Sequence, residues 1–426
     1  MSTDYTRREF MTTPLTYLAT AGLLGACTDV LNGGIPRAAE SAPATKLIMR
    51  PLGKTGITLP IVSMGVMNAE APGLIVRSYE VGIRHFDTAA GYQGGRNEEM
   101  VGQTIRQLGV RDKVVISTKA HVRGAGHGDP VNNKADLLKI FAGSLERLQM
   151  DHVDTLYLHA VGDAAPVGDA GVQEAITQLK KEGKIRWAGV STHGGQAEVL
   201  NAVASSGFWD VALVGFNYTM AENQEMLDAM KLCAAKGIGL VAMKTQAGGH
   251  RPPHQEEAGS DTPSSIRQPA ALKWVLQHPF VTTAIPGFTK FEQIDEVIPV
   301  ASNLEYTPEE RKFVSDRGIR ASLEFCQQCR ECVASCPNRA DIPALMRTHM
   351  YAFQYGNLEH ARFTLAEIPQ DAGLDVCKSC PTCSAACSAL PTARSTITSS
   401  TAVSAAWRAW WAATTSAPPT IAPTSP

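Results

Sequence analysis

The chain has 426 residues, 44% of them hydrophobic, and a formal net charge of −2. That length holds about two domains, and the hydrophobic share supports an ordinary globular core. The near-neutral charge excludes a basic field for nucleic acid, and with no run of about eighteen apolar residues no transmembrane helix is expected.

In chain order, residues 1–45 read as an export signal and linker. Thr6-Arg7-Arg8-Glu9-Phe10-Met11 precedes a mildly apolar stretch from Pro14 to Ala26. Paired arginines before a weak apolar segment have the form of a twin-arginine signal; the alternative is an extension whose arginines are incidental. Leu23-Leu24-Gly25-Ala26-Cys27 has the form of a lipoprotein cleavage site, with Cys27 the lipidated residue, and a cut after Ala44 is the other option. The expectation is a periplasmic or lipid-anchored protein whose membrane contact runs through Cys27, or otherwise a cytoplasmic one.

Residues 46–302 alternate short β-branched runs with amphipathic stretches. Leu52-Gly53-Lys54-Thr55-Gly56-Ile57 reads as a turn between two short strands, a hairpin that would plug the N-terminal mouth of a barrel. The predicted strands are Ile61–Gly65, His85–Asp87, Val114–Lys119, Val153–His159, Trp187–Ser191, Val211–Asn217, Gly239–Lys244 and Thr283–Pro286. Between them, Asp136–Leu148 and Val172–Lys181 carry apolar residues at helical spacing. Eight strand–helix units in about 250 residues match a closed (β/α)8 TIM barrel of the α/β class. An open doubly wound sheet is the alternative, but no G-x-G-x-x-G follows the first strand. Residues 245–263, rich in Gly, Pro and His, form a loop after strand seven, on the face where barrel sites lie.

A smaller helical domain is expected over 303–388. Residues 304–324 read as helical with Thr307-Pro308-Glu309-Glu310 as the start signal, and a second helical stretch covers about Ile342–Leu365. Around it stand Cys326, Cys329, Cys332 and Cys336, then Cys377, Cys380, Cys383 and Cys387, each run spaced C-x2-C-x2-C-x3-C. Three thiolates on so short a loop suit one corner of an iron–sulfur cube, and the fourth ligates the other cube in two-cluster ferredoxins. The expected sets for two 4Fe-4S clusters are Cys326, Cys329, Cys332 with Cys387, and Cys377, Cys380, Cys383 with Cys336. Zinc pairs C-x2-C units across longer gaps, and eight cysteines also satisfy a disulfide framework in an exported protein. Pro337 follows the first run, whereas Ser388 follows the second. Cys233, on a predicted helix, reads as a buried small apolar residue. Residues 389–426, almost all Ala, Ser, Thr and Pro, read as a disordered tail or a reading-frame error.

Catalytic groups of a barrel lie at the C-terminal ends of strands, and those ends supply Asp87, Tyr92 just beyond, Lys119 and His159. With Gly82-Ile83-Arg84-His85-Phe86-Asp87-Thr88-Ala89, Gly91-Tyr92-Gln93-Gly94 and Glu98-Glu99-Met100-Val101-Gly102, the region over about 47–300 resembles the aldo-keto reductase family. The C-terminal runs resemble its subgroup with a ferredoxin-type extension. The resemblance implies an oxidoreductase that reduces a carbonyl, or oxidises an alcohol, by nicotinamide hydride transfer. Tyr92 would be the proton donor; an unperturbed phenol has a pKa of about 10, and a neighbouring ammonium, Lys119, would lower it. Asp87 would orient Lys119, and His159 would position the substrate oxygen.

For the cofactor, NADP or NAD, the resemblance implies Ser191, Asn217 in place of the usual Gln, Lys244 and Lys290. Thr192 departs from the family's Ser-Asn pair. Gly287, Phe288, Gln293, Glu296 and Val297 stand where many relatives hold the adenosine phosphate, which leaves the choice of dinucleotide open. No flavin signature is visible to couple hydride to one-electron clusters. The alternatives are an electron-transfer protein whose barrel is a docking platform for a redox partner protein, and a scaffold with structural clusters.

Overall fold

The computed structural model describes residues 46–121, 133–247, 262–316, 326–369, 371–379 and 385. The predicted export segment with Cys27, most of the 245–263 loop, the residues Cys380, Cys383 and Cys387, and the tail over 389–426 lie outside the described residues. Among the described residues no helix is long and apolar enough to cross a membrane.

The chain opens on a hairpin, β1 (Met49–Pro51) against β2 (Thr58–Pro60), in antiparallel register. Gly53, at φ +53°, makes its turn, and a Cβ there would lie 2.4 Å from the Gly237 carbonyl oxygen. Its apolar residues Leu52, Ile57 and Leu59 pack with Tyr157, Val211, Leu213, Val241 and Ile285. Those five belong to or adjoin the strands that follow, and Lys54 N–H donates to the Gly237 carbonyl (2.8 Å) just ahead of the strand Gly239–Met243, so the hairpin closes the barrel's N-terminal mouth as the turn signal predicts. Arg50 fixes it from outside, donating to the carbonyls of Leu276 (2.7 Å), His278 (3.2 Å) and Val281 (2.6 Å).

Eight parallel strands follow: β3 (Met64–Gly65), β4 (His85–Asp87), β5 (Val115–Ala120), β6 (Val153–Val161), β7 (Ile185–Thr192), β8 (Val211–Gly215), β9 (Gly239–Met243) and β10 (Thr283–Ala284). They pair in chain order. Strands covered on both faces read as continuous apolar runs, and β8 and β9 are buried at every residue. Bridges at Val62↔Ala284 and Gly65↔Gly287 bring the first strand to the last. The first and last strands are shorter than the sequence predicts. Pro286 has no N–H to extend the ladder, and the seam is joined by Ala284 N–H to the Ile61 carbonyl (2.9 Å), Ser63 N–H to the Ala284 carbonyl (2.8 Å) and Gly65 N–H to the Pro286 carbonyl (3.0 Å).

Outside the barrel lie α1 (Pro72–Glu80), α2 (Arg96–Leu108), α3 (Asn133–Leu148), α4 (Ala170–Lys181), α5 (Gln196–Ser206), α6 (Gln224–Ala235), α7 (Ser264–Leu276), α8 (Phe291–Val297) and α9 (Pro308–Ser315). Helix α9 starts where predicted, with Thr307 and Glu310 in a reciprocal cap. It ends earlier than predicted, at Ser315, and 317–325 lie outside the described residues. Lys273 of α7 donates to both Glu310 oxygens (2.9 and 2.7 Å), tying α9 to the barrel. Cys233 is buried, as its helix position predicts; its thiol reaches the Leu200 carbonyl (3.3 Å) and burial pushes its pKa up to about 12.

The C-terminal segment contains a short helix Glu331–Ser335, a helix Ile342–His349 continued by a π-turn Met350–Gln354, and a helix Leu358–Glu367. It lies across the C-terminal ends of the strands. Asn357 bonds Asn68 (2.7 Å), Gln327 bonds the Thr219 carbonyl (2.8 Å), and Gly195 N–H donates to the Gln328 carbonyl (3.2 Å).

Two stability tests follow from this packing. A Cβ on Gly102 of α2 would lie 2.0 Å from the Leu148 carbonyl oxygen of α3. Gly102→Ala should therefore cost about 1–3 kcal/mol, read as a lower urea midpoint at unchanged m-value. His85, its Nε2 2.9 Å from Ser117 Oγ, is fully buried, and burial pulls its pKa down to about 4. An unfolded imidazole titrates near 6.5, so between about pH 6.5 and 4 the unfolded chain binds the extra proton and stability falls as pH drops. Urea midpoints at pH 7 and pH 5 should differ less in His85→Gln than in the parent.

Candidate active site

The strand register sets the site. Asp87 on β4 pairs with Ser117 on β5, and side chains alternate along a strand. Lys119, two residues past Ser117, therefore points the same way as Asp87. The Lys119 ammonium contacts Asp87 Oδ1, donates to the Thr88 carbonyl (2.6 Å) and lies 3.4 Å from the Tyr92 hydroxyl. Both charged groups are all but excluded from water, at 1% and 2% exposure. Burial pulls the Lys119 pKa down, opposed by the Asp87 charge, and pushes the Asp87 pKa up, opposed by Lys119.

Tyr92 enters from a loop built for it. It heads a 3-10 turn in which Gln93, Gly94 and Gly95 have φ of 52°, 62° and 96°. The turn is held by Gln93, whose amide donates to the carbonyls of Met67 (3.2 Å) and Ala69 (3.1 Å). Beneath it, buried Asn97 accepts from Thr88 Oγ1 (2.7 Å), and buried Glu98 receives Arg147 at 2.7 and 2.8 Å. His159 lies on β6 just before a register shift, with Ala160 at φ +58°. Such a bulge re-aims the neighbouring side chain, and the His159 ring stands edge-on to Tyr92 with centroids 6.0 Å apart. Burial, then Lys119, holds the His159 pKa well below the ordinary imidazole value. The structure thus brings Asp87, Tyr92, Lys119 and His159 together.

The other predicted residues are more scattered. Ser191 is buried, and its Oγ has no hydrogen-bond partner in the structure. Asn217 is committed locally: its Oδ1 accepts from Thr219 N–H (3.1 Å) and Oγ1 (2.7 Å), and its amide donates to the Lys244 carbonyl (3.1 Å). Lys290 precedes α8 with its side chain exposed. Lys244 lines the cavity beside Tyr92. Of the cysteines, Cys326, Cys329, Cys332 and Cys336 fall in the described residues, and no disulfide links these four to one another. Gln328 and Arg330, interleaved with them, have φ of 60° and 68°. Cys377 lies in the turn Leu374–Ser379. Among the described residues no three His, Cys, Asp or Glu side chains converge as a metal-holding set.

Sequence reasoning missed the residues that the C-terminal segment brings to this cavity. Tyr351 and Tyr355 line it. The His360 ring lies 5.5 Å from Tyr92 and 4.3 Å from Tyr351, centroid to centroid. Burial, then Lys244 and Arg347, lowers the His360 pKa to about 3. The dense run His349-Met350-Tyr351-Ala352-Phe353-Gln354-Tyr355 was a sequence signal for these aromatics, but it carried no information about which surface they meet.

Comparison with known proteins places this geometry. The chain is 25% identical over 313 residues to L-galactose dehydrogenase of Arabidopsis thaliana, covering 66% of this chain and 95% of that protein. It is 25% identical to L-glyceraldehyde 3-phosphate reductase of Escherichia coli K12, covering 61% and 89%. Among solved structures, the holo form of aldo-keto reductase AKR11C1 from Bacillus halodurans shares the fold at a TM-score of 0.52 and 22% identity, covering 65% of this chain and all of that one. An aldo-keto reductase from Klebsiella pneumoniae in complex with NADPH matches at 0.50 and 24% identity, covering 63% and 95%. Residues 58–315 match the model of the aldo/keto reductase family, a span that contains the whole constellation from Asp87 to His159 and stops before the first cysteine run. The chain is a member of the aldo/keto reductase family.

Proposed function

We propose that this chain reduces a carbonyl to an alcohol with hydride from a nicotinamide dinucleotide, Tyr92 supplying the proton. The observation that carries the reading is the Lys119 ammonium held between Asp87 and the Tyr92 hydroxyl at the barrel mouth. When bound, a nicotinamide supplies the hydride that the carbonyl carbon accepts. The chain's own residues do the rest. Tyr92 gives its hydroxyl proton to the carbonyl oxygen, and the phenolate that remains faces a fixed cation, which favours it. Asp87 keeps that cation charged and aimed. His159, neutral at pH 7, donates one N–H to the oxygen and fixes its position. The unpartnered Ser191 hydroxyl suits the carboxamide of a nicotinamide, whereas Asn217 has spent its carbonyl oxygen on its own turn. NADPH is the coenzyme of choice by analogy with the Klebsiella protein, although no arginine replaces the absent adenosine-phosphate residues near Lys290.

We also propose that the two cysteine runs carry [4Fe–4S] clusters. The spacing supports this, as do the left-handed residues Gln328 and Arg330, a conformation that concentrates at functional loops. Among the described residues no three such side chains are placed to hold a single metal ion, and the reduction proposed above assigns no step to a cluster. Export of the folded chain by way of Arg7 and Arg8 completes this reading, since clusters are assembled where iron and sulfide are supplied.

Tyr92→Phe should lower kcat for aldehyde reduction on the order of 10² to 10⁴-fold while the fluorescence-detected affinity for NADPH stays the same; wild-type kcat in that variant would overturn the assignment. Anaerobically purified chain should contain about eight iron and eight acid-labile sulfide atoms. Cys326→Ser with Cys329→Ser should lower both counts together, and zinc in place of iron in the parent would sink the cluster proposal.

A further inference from the structure

The barrel mouth carries a cation, expected from the resemblance to hold the cofactor, to which the reduction just described assigns no step. Lys244 follows β9 directly, with φ +54°, and lines the cavity. Its Nζ hydrogen-bonds the Tyr351 hydroxyl at 2.9 Å and lies 4.6 Å from that ring's centroid. No carboxylate pairs with it among the described residues; the charge nearest in effect is another cation, Arg347. Lys119, by contrast, has Asp87. An ammonium half-buried in a cavity without a counter-charge is costly, and a site keeps one where a ligand brings the missing charge.

A second observation points the same way. His193 and Thr245 line this cavity and are more than nine-tenths buried, and their Nδ1 and Oγ1 atoms have no hydrogen-bond partner. Buried polar atoms of this kind are paired in native structures unless something is bound there. The subsite also faces the chemistry. Tyr351 packs on His360 and His360 on Tyr92, while His159 lies 6.0 Å from Tyr92 and 6.2 Å from His193, all between ring centroids. These contacts run as an arc from the proton donor around the mouth to Lys244. Tyr351 lies beyond residue 315, where the family match ends.

We propose that Lys244 and Tyr351 anchor an anion subsite opposite Tyr92, and that the substrate is a carbonyl compound carrying a carboxylate a few atoms away. The carboxylate accepts from Lys244 Nζ and the Tyr351 hydroxyl, and the carbonyl then reaches Tyr92 and His159. The proposal rests on the reductase reading for its carbonyl, but the anion subsite stands apart from it. A dinucleotide pyrophosphate is the other source of the same anionic chemistry.

The test compares 4-oxobutanoate with butanal, and butanoate as a non-reducible ligand, on the full-length chain. The parent should favour 4-oxobutanoate over butanal in kcat/KM. In Lys244→Met the ratio of the two values should fall about 10- to 100-fold, mainly through the KM for the acid, the range expected for one charged hydrogen bond. Tyr351→Phe should lower the ratio by less. Butanoate should raise the Tm of the parent and not that of Lys244→Met. Methionine keeps the stem volume and removes an unpaired charge, so without ligand this variant should melt no lower than the parent. A parent without preference for the acid, or an equal loss for both aldehydes, would overturn the subsite. Weakening of NADPH binding by tenfold or more, with the ratio unmoved, would assign the cation to pyrophosphate instead. If neither aldehyde is reduced, the reductase reading fails, and butanoate stabilisation lost in Lys244→Met would still support the anion site, whereas no stabilisation of the parent would end it.

Discussion

The Asp87–Lys119 ion pair is the constraint on which the mouth of this barrel is built. Two opposite charges stand in the dry interior, where desolvation is repaid only by good geometry and further hydrogen bonds. The Thr88 carbonyl and the Tyr92 hydroxyl provide those bonds. The pair therefore demands a fixed β4–β5 register, a loop after β4 that returns Tyr92 to the ammonium, and a buried layer beneath it. That layer is Asn97, Glu98 and Arg147, which tie the start of α2 to the strand ends and to α3. A slip of one residue between β4 and β5 would turn Lys119 away from Asp87.

Around the pair, charge is distributed unevenly. His159, His193 and His360 are all held neutral by burial, reinforced by nearby cations. Among the described residues that line it, the mouth thus combines neutral donors with fixed positive charge and one carboxylate, Asp87, neutralised by Lys119. This is a field suited to oxygen atoms that gain negative charge in a transition state. The C-terminal segment adds Tyr351 and Tyr355 to the cavity wall, with His360 packed behind Tyr351.

Much of this was legible in the sequence, because it depends on local pattern and chain order. Strand ends follow from apolar runs, and barrel topology sends consecutive strand ends to one face; that is why Asp87, Tyr92, Lys119 and His159 group together on chain order alone. The hairpin was readable from its glycine turn and α9 from its Thr-Pro-Glu-Glu start. Three features were not. Asn217 has the residue type expected of a carboxamide binder, yet a local Asx turn consumes it, and type alone does not separate the two. The aim of His159 depends on a bulge at Ala160, which no propensity marks. His360, with Tyr351 packed on it, meets Tyr92 across more than 250 residues of chain, and helical periodicity says only that such residues share a face, not what that face meets.

The Arg50 clasp has a consequence for how the chain acquires its structure. Its guanidinium, on the first strand of the plug, binds three carbonyls at the end of α7, more than 220 residues later. The seam between β3 and β10 likewise joins the first barrel strand to the last. During synthesis neither bond has a partner until the eighth strand has left the ribosome, so the apolar edge of β3 waits uncovered while the intermediate strands are made. Non-local parallel pairing of this kind is slow and exposes aggregation-prone surface. The nascent chain thus keeps that edge open for most of its synthesis, and the last strand–helix unit acts as the latch that closes it.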